Sequence, residues 1–226
     1  QSFVVLRKST TFCVNTRVAC KRITTHNKLR IDIMEALFIE DKIFDKTDFT
    51  QSLIMRGEYE NCIFKICDFS NADLKEIKFI DCEFLGCNLS LAKLTKTSFI
   101  DIKFKECKML GLHFENCNQF GLSFSIDNCN LTHSSFFQTK LKKTVFRNSQ
   151  LHEVDFIECD LTSCTFDNCD LTRAIFENTI IENADFRTSF HYSIDPEMNR
   201  IKKAKFSLPF VIGLLDKYNI EIDRAT

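Results

Sequence analysis

The stretch CDLTSCTFDNCDLTRAIFENT, residues 159–179, sets Cys159, Cys164 and Cys169 five apart and puts Leu161, Phe166 and Leu171 two residues after them. Such spacing serves chemistry, as metal ligands, disulfides or a nucleophile, or it repeats one structural unit. The flanking sequence decides. Every fifth residue from Phe44 through Phe49, Ile54, Tyr59 and Phe64 to Phe114 is apolar, fifteen in a row. The phase then slips by two near Gln119 to Cys129, and twelve more follow at the same interval from Leu131 to Phe186. In a chain that is 44% apolar, chance does not produce this.

A helix needs a period of 3.6 and a flat strand a period of 2. A period of five means that the chain turns a corner each time and returns an equivalent residue to the interior. The position two before each central residue also faces in and has to be small. Ala72, Ala92, Thr97, Ser134, Thr144, Ala174 and Ala184 stand there, as do ten of the twelve cysteines, with Ile77, Ile102, Leu112 and Val154 as larger exceptions. A free cysteine behaves as a small buried hydrophobe. The five-residue interval is not the C-x₂-C of zinc sites. The cysteines therefore read as architecture, and so many neighbouring thiols imply a reducing, cytoplasmic compartment.

In the second series Leu and Phe alternate, with Ile181 in a Leu place, so like residues recur every ten. A three-sided coil of fifteen would stack Leu on Phe. A four-sided coil of twenty stacks Phe136, Phe156 and Phe176 on one face, Phe146, Phe166 and Phe186 on another, and Leu131, Leu151 and Leu171 on a third. Coils spaced by about 4.8 Å would make roughly seven turns and a rod of roughly 35 Å, held by hydrogen bonds from coil to coil. Both prolines, Pro196 and Pro209, lie beyond the last repeat, where they break no such bond.

The units Asn71-Ala72-Asp73-Leu74-Lys75, Cys169-Asp170-Leu171-Thr172-Arg173 and Ala184-Asp185-Phe186-Arg187-Thr188 resemble the consensus of pentapeptide-repeat proteins, over roughly residues 40–190. The resemblance implies an all-β solenoid, a right-handed quadrilateral β-helix with a short C-terminal helical cap. The nearest likeness is to the quinolone-resistance (Qnr-type) and microcin-immunity proteins of that family. Members mimic DNA and bind DNA gyrase or topoisomerase IV, and some thereby protect the enzyme from quinolones or microcin. Several carry long projecting loops, which this chain lacks.

Three segments are expected. Residues 1–33 are basic, with seven Lys/Arg against Asp32, and follow no five-residue pattern. The first methionine is Met34, so the native protein is expected to start there, with 1–33 as translated upstream sequence or an added remnant; a genuine basic arm is the alternative. Residues 34–189 form the repeat region, with a bulge at the slip near 119–130. Residues 190–226 form the cap. Asp195 with Pro196 reads as a helix start, and the apolar run 207–215 as a short buried helix. Through the family resemblance this helix implies a homodimer contact made by Phe210, Val211, Leu214 and Leu215, the alternative being a monomer.

The residues give no sign of an enzyme. The histidines (His26, His113, His133, His152, His191) form no ligand motif, and no P-loop or G-x-S-x-G is present. No metal, cofactor, small-molecule substrate, direct nucleic-acid contact or membrane segment is expected. What remains is surface. Glu153, Asp155, Glu158, Asp160, Asp167, Asp170, Glu177, Glu182 and Asp185 surround the single base Arg173. A narrow rod carrying regular negative charge resembles duplex DNA in outline. The function expected is non-enzymatic modulation of a type II topoisomerase; the other reading is an interaction scaffold with a different partner.

Overall fold

The computed structural model describes residues 37–223. The basic segment 1–33 and the start expected at Met34 lie outside the described residues.

The chain winds as a four-sided parallel β-solenoid with twenty residues per coil. Strands β1 (Leu37–Glu40), β3 (Gly57–Glu60), β5 (Lys78–Ile80) and β7 (Ser98–Ile100) form one parallel sheet. A second wall runs through β2 (Ile43–Asp45), β4 (Ile63–Lys65), β6 (Glu83–Leu85), β8 (Ile102–Lys105), β9 (Phe124–Asp127), β10 (Val145–Arg147) and β11 (Thr165–Asp167). Register is in steps of twenty, as in Phe64↔Phe84 and Phe146↔Phe166. The other walls are joined by single bridges such as Asp68↔Asn88 and Asp155↔Ile175. The walls are named below by one central residue each: Phe64, Phe69, Leu74 and Phe79.

Most corners are closed by a residue in the left-handed region. Asn61, Asn71, Asn128, Asn148, Asn168, Asn178 and Asn183 all take positive φ there, as do Gly86 and Gly111. Asparagine and glycine bear this conformation at least cost. Ile66, at φ 51, is the one β-branched residue in the described set and is mostly exposed. Ile66→Asn should therefore stabilise the fold by about 1 kcal/mol, read from the urea midpoint; a loss of stability would show that the isoleucine is held by contacts that outweigh its strain.

The interior is a set of ring ladders. Phe146 and Phe166 stack at 4.9 Å and 1°, and Phe166 and Phe186 at 4.7 Å and 12°. Phe136, Phe156 and Phe176 stack at 5.3 and 5.1 Å, and Phe44, Phe64, Phe84 and Phe104 at 4.8, 4.8 and 5.2 Å. Rings on adjoining walls meet edge to face, as Phe156 meets Phe166 at 85°.

Where the residue two before a centre is cysteine, serine or threonine, it does more than fit. Its side chain can donate to the carbonyl of a central residue 23 positions back: Cys87 Sγ to Phe64 O at 3.3 Å, Thr97 Oγ1 to Leu74 O at 2.8 Å, Thr179 Oγ1 to Phe156 O at 2.7 Å, Ser189 Oγ to Phe166 O at 2.7 Å. Cysteine, serine and threonine all fit because each is compact and carries a donor. Thr179→Val should cost about 1–3 kcal/mol, the penalty of a carbonyl left buried and unpaired, while Thr179→Ser should cost less than half as much. Equal losses, measured by urea unfolding, would refute the donor role.

The slip is a bulge on the Phe79 wall. Before it the register is twenty; across it Ile102 pairs with Phe124 and Phe104 with Ile126, a step of twenty-two. Ile126 takes the central place, so Phe124, although it stands twenty residues after Phe104, occupies the usually small position. Gln119 ties the bulge down, donating Nε2 to Cys117 O and Phe114 O, and Phe120 projects at 86% exposure.

At the C-terminus the pairing passes the boundary expected at 189: Arg200 bridges Ile180 and Lys205 bridges Asp185. The helix expected from Asp195 and Pro196 is absent. Asp195 Oδ1 accepts Glu197 N–H at 2.8 Å in a tight turn, because the chain must re-enter the coil at Asn199, whose Nδ2 donates to Phe176 O. The cap is made of two short 3₁₀ turns, Val211–Leu214 and Asp216–Tyr218. Gly213 lets the first turn press on Tyr192, where a Cβ would lie 1.9 Å from the Tyr192 carbonyl oxygen. Lys217 Nζ fastens the second turn to Asp195 and Glu197 at 2.8 and 2.6 Å.

Candidate functional site: the charged walls

The interior of the described residues is closed apolar packing. All ten described cysteines are buried and free, and burial pushes the thiols of Cys159, Cys164 and Cys169 up to about 12. No group of three or more His, Cys, Asp or Glu side chains there could hold a metal ion, and no described helix is long and apolar enough to cross a membrane.

The nine acids singled out between Glu153 and Asp185 lie on all four walls, and seven have side-chain partners. Glu153 pairs with Arg173 and with His133 at 3.1 Å, Asp160 with Lys142 at 3.0 Å, Asp167 with Arg147 at 3.2 Å, Glu182 with Arg200 at 2.8 Å and Asp185 with Arg187 at 2.7 Å. Glu158 accepts from Gln138 Nε2 at 2.7 Å. His191 and His152 stand 3.0 and 2.9 Å from the Asp170 carboxylate, the second poorly aligned for a hydrogen bond. Asp155 and Glu177 lack such partners among the described residues. Exposed pairs of this kind add little stability, but they cancel the local field. The nine do not make one acidic face.

Asp170 has a measurable consequence. Burial pushes its carboxyl upward, but hydrogen bonds with Thr172 and His191, together with the close His152 ring, outweigh that and hold it at about 2, below its ordinary 3.8. A depressed carboxyl stabilises the fold above its unfolded value and loses that stabilisation as pH falls through the folded one. Stability should thus drop between about pH 4 and pH 2, and Asp170→Asn should flatten this part of the profile. An unchanged acid limb in the variant would contradict the assignment.

A denser set of acids sits where the linear sequence shows none. At the corner between the Phe79 and Phe64 walls, the left-handed position of successive coils is Asp41, Asn61, Asp81 and Asp101. Glu40 and Glu60 adjoin it on one side and Glu83 on the other. Together with Asn61, Ile63 and Lys103 they line a shallow trough of about 540 Å³, apart from Asp41 on its rim. Lys103 is taken by Glu83 at 2.7 Å. Four coils thus carry roughly one carboxylate per 3 Å of axis, against one charge per about 1.7 Å of duplex DNA.

A profile of the pentapeptide repeat region matches residues 58–125 and 112–186, together 58–186, more than half of the 226 residues. The chain belongs to the pentapeptide-repeat family. No curated protein matches this pentapeptide-repeat chain by sequence. Among solved structures it is similar to full-length QnrB1, a plasmid-mediated fluoroquinolone resistance protein, at 18% identity and TM-score 0.49, over 81% of this chain and 100% of that one. It is also similar to HetL of Nostoc sp. strain PCC 7120, involved in heterocyst differentiation regulation, at 12% identity and TM-score 0.31, over 76% and 84%. Rfr23 of Cyanothece 51142 follows at 9% identity and TM-score 0.16, over 76% and 89%. These likenesses are too distant to carry an activity across.

The cap residues divide. Phe210 and Leu214 pack on the last coil and Val211 is half-buried, so of the four expected at a dimer contact only Leu215 faces outward. Leu208, Ile212, Ile220 and Ile222 share its exposure. Sequence reasoning missed this outer set because it treated the run as one buried α-helix.

Proposed function

We propose that this pentapeptide-repeat protein is a non-enzymatic DNA mimic that binds a type II topoisomerase, DNA gyrase or topoisomerase IV, and modulates it, with protection from quinolones as a consequence. The observation that carries the reading is the acidic corner Glu40, Asp41, Glu60, Asp81, Glu83 and Asp101. It is straight, regularly spaced and little neutralised, and a saddle built for a phosphate backbone attracts such an edge by the same long-range field. The corner replaces the residues of 153–185 as the binding surface. The exposed apolar end at Leu208, Ile212 and Leu215 supports a homodimer joined end to end, which would lengthen the rod. Supercoiling by purified gyrase, with and without a quinolone, tests the proposal. Salt-sensitive inhibition, with protection when the drug is present, is the expected result. Full gyrase activity and unaltered drug sensitivity at every protein concentration would overturn it.

A further inference from the structure

The bulge divides the Phe79 wall into equal halves. Four central residues precede it, Ile39, Tyr59, Phe79 and Phe99, and four follow, Leu141, Leu161, Ile181 and Ile201. The left-handed column at the corner of this wall reads Asp41, Asn61, Asp81 and Asp101 before the bulge and Lys143, Ser163, Asn183 and Lys203 after it. A two-fold axis through the bulge, perpendicular to the rod, brings equal distances from the bulge face to face and leaves each column opposite itself. Asp101 then meets Lys143, Asp81 meets Ser163, Asn61 meets Asn183, and Asp41 meets Lys203. In the next column Glu40 meets Lys202, and in the third Lys78 meets Asp160. Glu60 opposite Glu182 is the one like-charged pair in the three columns. The neighbouring bases Lys103 and Lys142 are occupied within the chain by Glu83 and Asp160, whereas Asp41, Asp81, Asp101, Lys143 and Lys203 form no ion pair among the described residues.

At the axis stands Phe120, 86% exposed, on the bulge that also carries partly covered Leu122. An exposed phenylalanine on a tied bulge costs the monomer hydration and contributes nothing to its core. On the axis, two copies meet each other and lose that exposed surface.

We infer that the Phe79 wall is a self-complementary interface, by which two copies of this chain lie antiparallel with Phe120 on Phe120 and acidic half on basic half. The contact is isologous, as closed two-fold symmetry requires. A wall about 40 Å long and three side chains wide buries roughly 1,000 Å² in total, the size of a weak, reversible association. Its charges are exposed at the rim, so the affinity falls with salt. The association also covers the acidic corner, so a partner of that corner binds in competition with it. The inference does not require that partner to be a topoisomerase.

Sedimentation velocity and cross-linking of the full chain test it. The dissociation constant should rise about tenfold between about 50 mM and about 500 mM salt. Asp101→Lys and Lys143→Asp should each weaken the dimer about tenfold or more, because each places two like-charged pairs across the axis, and the double variant should recover most of the loss. Phe120→Cys, at an exposed position, should cross-link to itself on mild oxidation, with the 120–120 disulfide identified by peptide mass mapping. Leu215→Arg, at the C-terminal end of the rod, should remove only the end-to-end contact and leave the response to the charge variants and the 120–120 cross-link unchanged. An association that is indifferent to the three charge variants and lost in Leu215→Arg, or no 120–120 disulfide at concentrations where dimer is present, would overturn the inference, as would a chain that stays monomeric at low salt.

Discussion

Phe166→Ala should lower the unfolding free energy by about 3–5 kcal/mol, the cost of a large cavity in a core that cannot collapse around it. Phe166 is sealed from solvent and held between two stacked neighbours, Phe146 at 4.9 Å and Phe186 at 4.7 Å, with Phe156 edge-on at 5.9 Å. Backbone hydrogen bonds set the spacing of the coils, so the neighbours cannot slide together without breaking the ladder. Phe120→Ala, on the same chain, should change stability by no more than about 0.5 kcal/mol, since the side chain is exposed. Urea unfolding followed by far-ultraviolet circular dichroism would show both. A solenoid unfolds by breaking nearest-neighbour contacts, so the variant should lose cooperativity as well as its midpoint, with the two halves parting at the defect. Similar losses at 166 and 120 would mean that the rings do not stack as described.

The second large effect lies on the surface. Reversing Asp41, Asp81 and Asp101 together to lysine should abolish salt-sensitive inhibition of gyrase, weakening binding by about a hundredfold or more. The three project from corners and touch nothing inside the rod, so the fold should be retained, and an unchanged circular dichroism spectrum would show it. Reversing Asp155, Asp160, Asp170 and Asp185 should do far less, because Asp160 and Asp185 already sit in ion pairs and Asp170 is held by Thr172 and His191. Asp170 and its histidines lie on the Phe69 wall, away from the acidic corner. If the second set abolishes inhibition and the first does not, the binding surface has been placed on the wrong half of the molecule.

The fold was legible because its constraint is periodic and interior. Phe146, Phe166 and Phe186 announce a ladder whatever their neighbours are, since only a chain that returns every twenty residues can bury all three alike. The bulge was legible as a count, yet its consequence for Phe124 was not. Phe124 reaches the small position because two extra residues shift the register there from twenty to twenty-two. The donor role of the cysteine and threonine positions could have been read from their alternation with serine, a residue that smallness alone does not favour over alanine. The recurrent asparagine at the corners carried a signal too, since positive φ selects it.

The pairing of the charged surface went unread for a specific reason. Acids were counted along the chain, where Glu153 to Asp185 looks dense, and not down the columns, where neighbours stand twenty residues apart. Read at that interval, Arg147 and Asp167, Glu153 and Arg173, and Gln138 and Glu158 are visible as partners before any coordinates. So is the column Asp41, Asn61, Asp81 and Asp101. The cap was misread because an apolar run of 207–215 fits an α-helix by composition, whereas the turn must close on Tyr192 through Gly213, and a 3₁₀ turn makes that approach.

The most direct measurement of the functional account is competition for the DNA saddle. Purified gyrase would be loaded with a fluorescent duplex and titrated with this protein while anisotropy is followed. The account predicts full displacement of the duplex, weaker at higher salt and absent for the chain reversed at Asp41, Asp81 and Asp101. Displacement by that reversed chain equal to wild type, or gyrase that holds protein and duplex together, would contradict it.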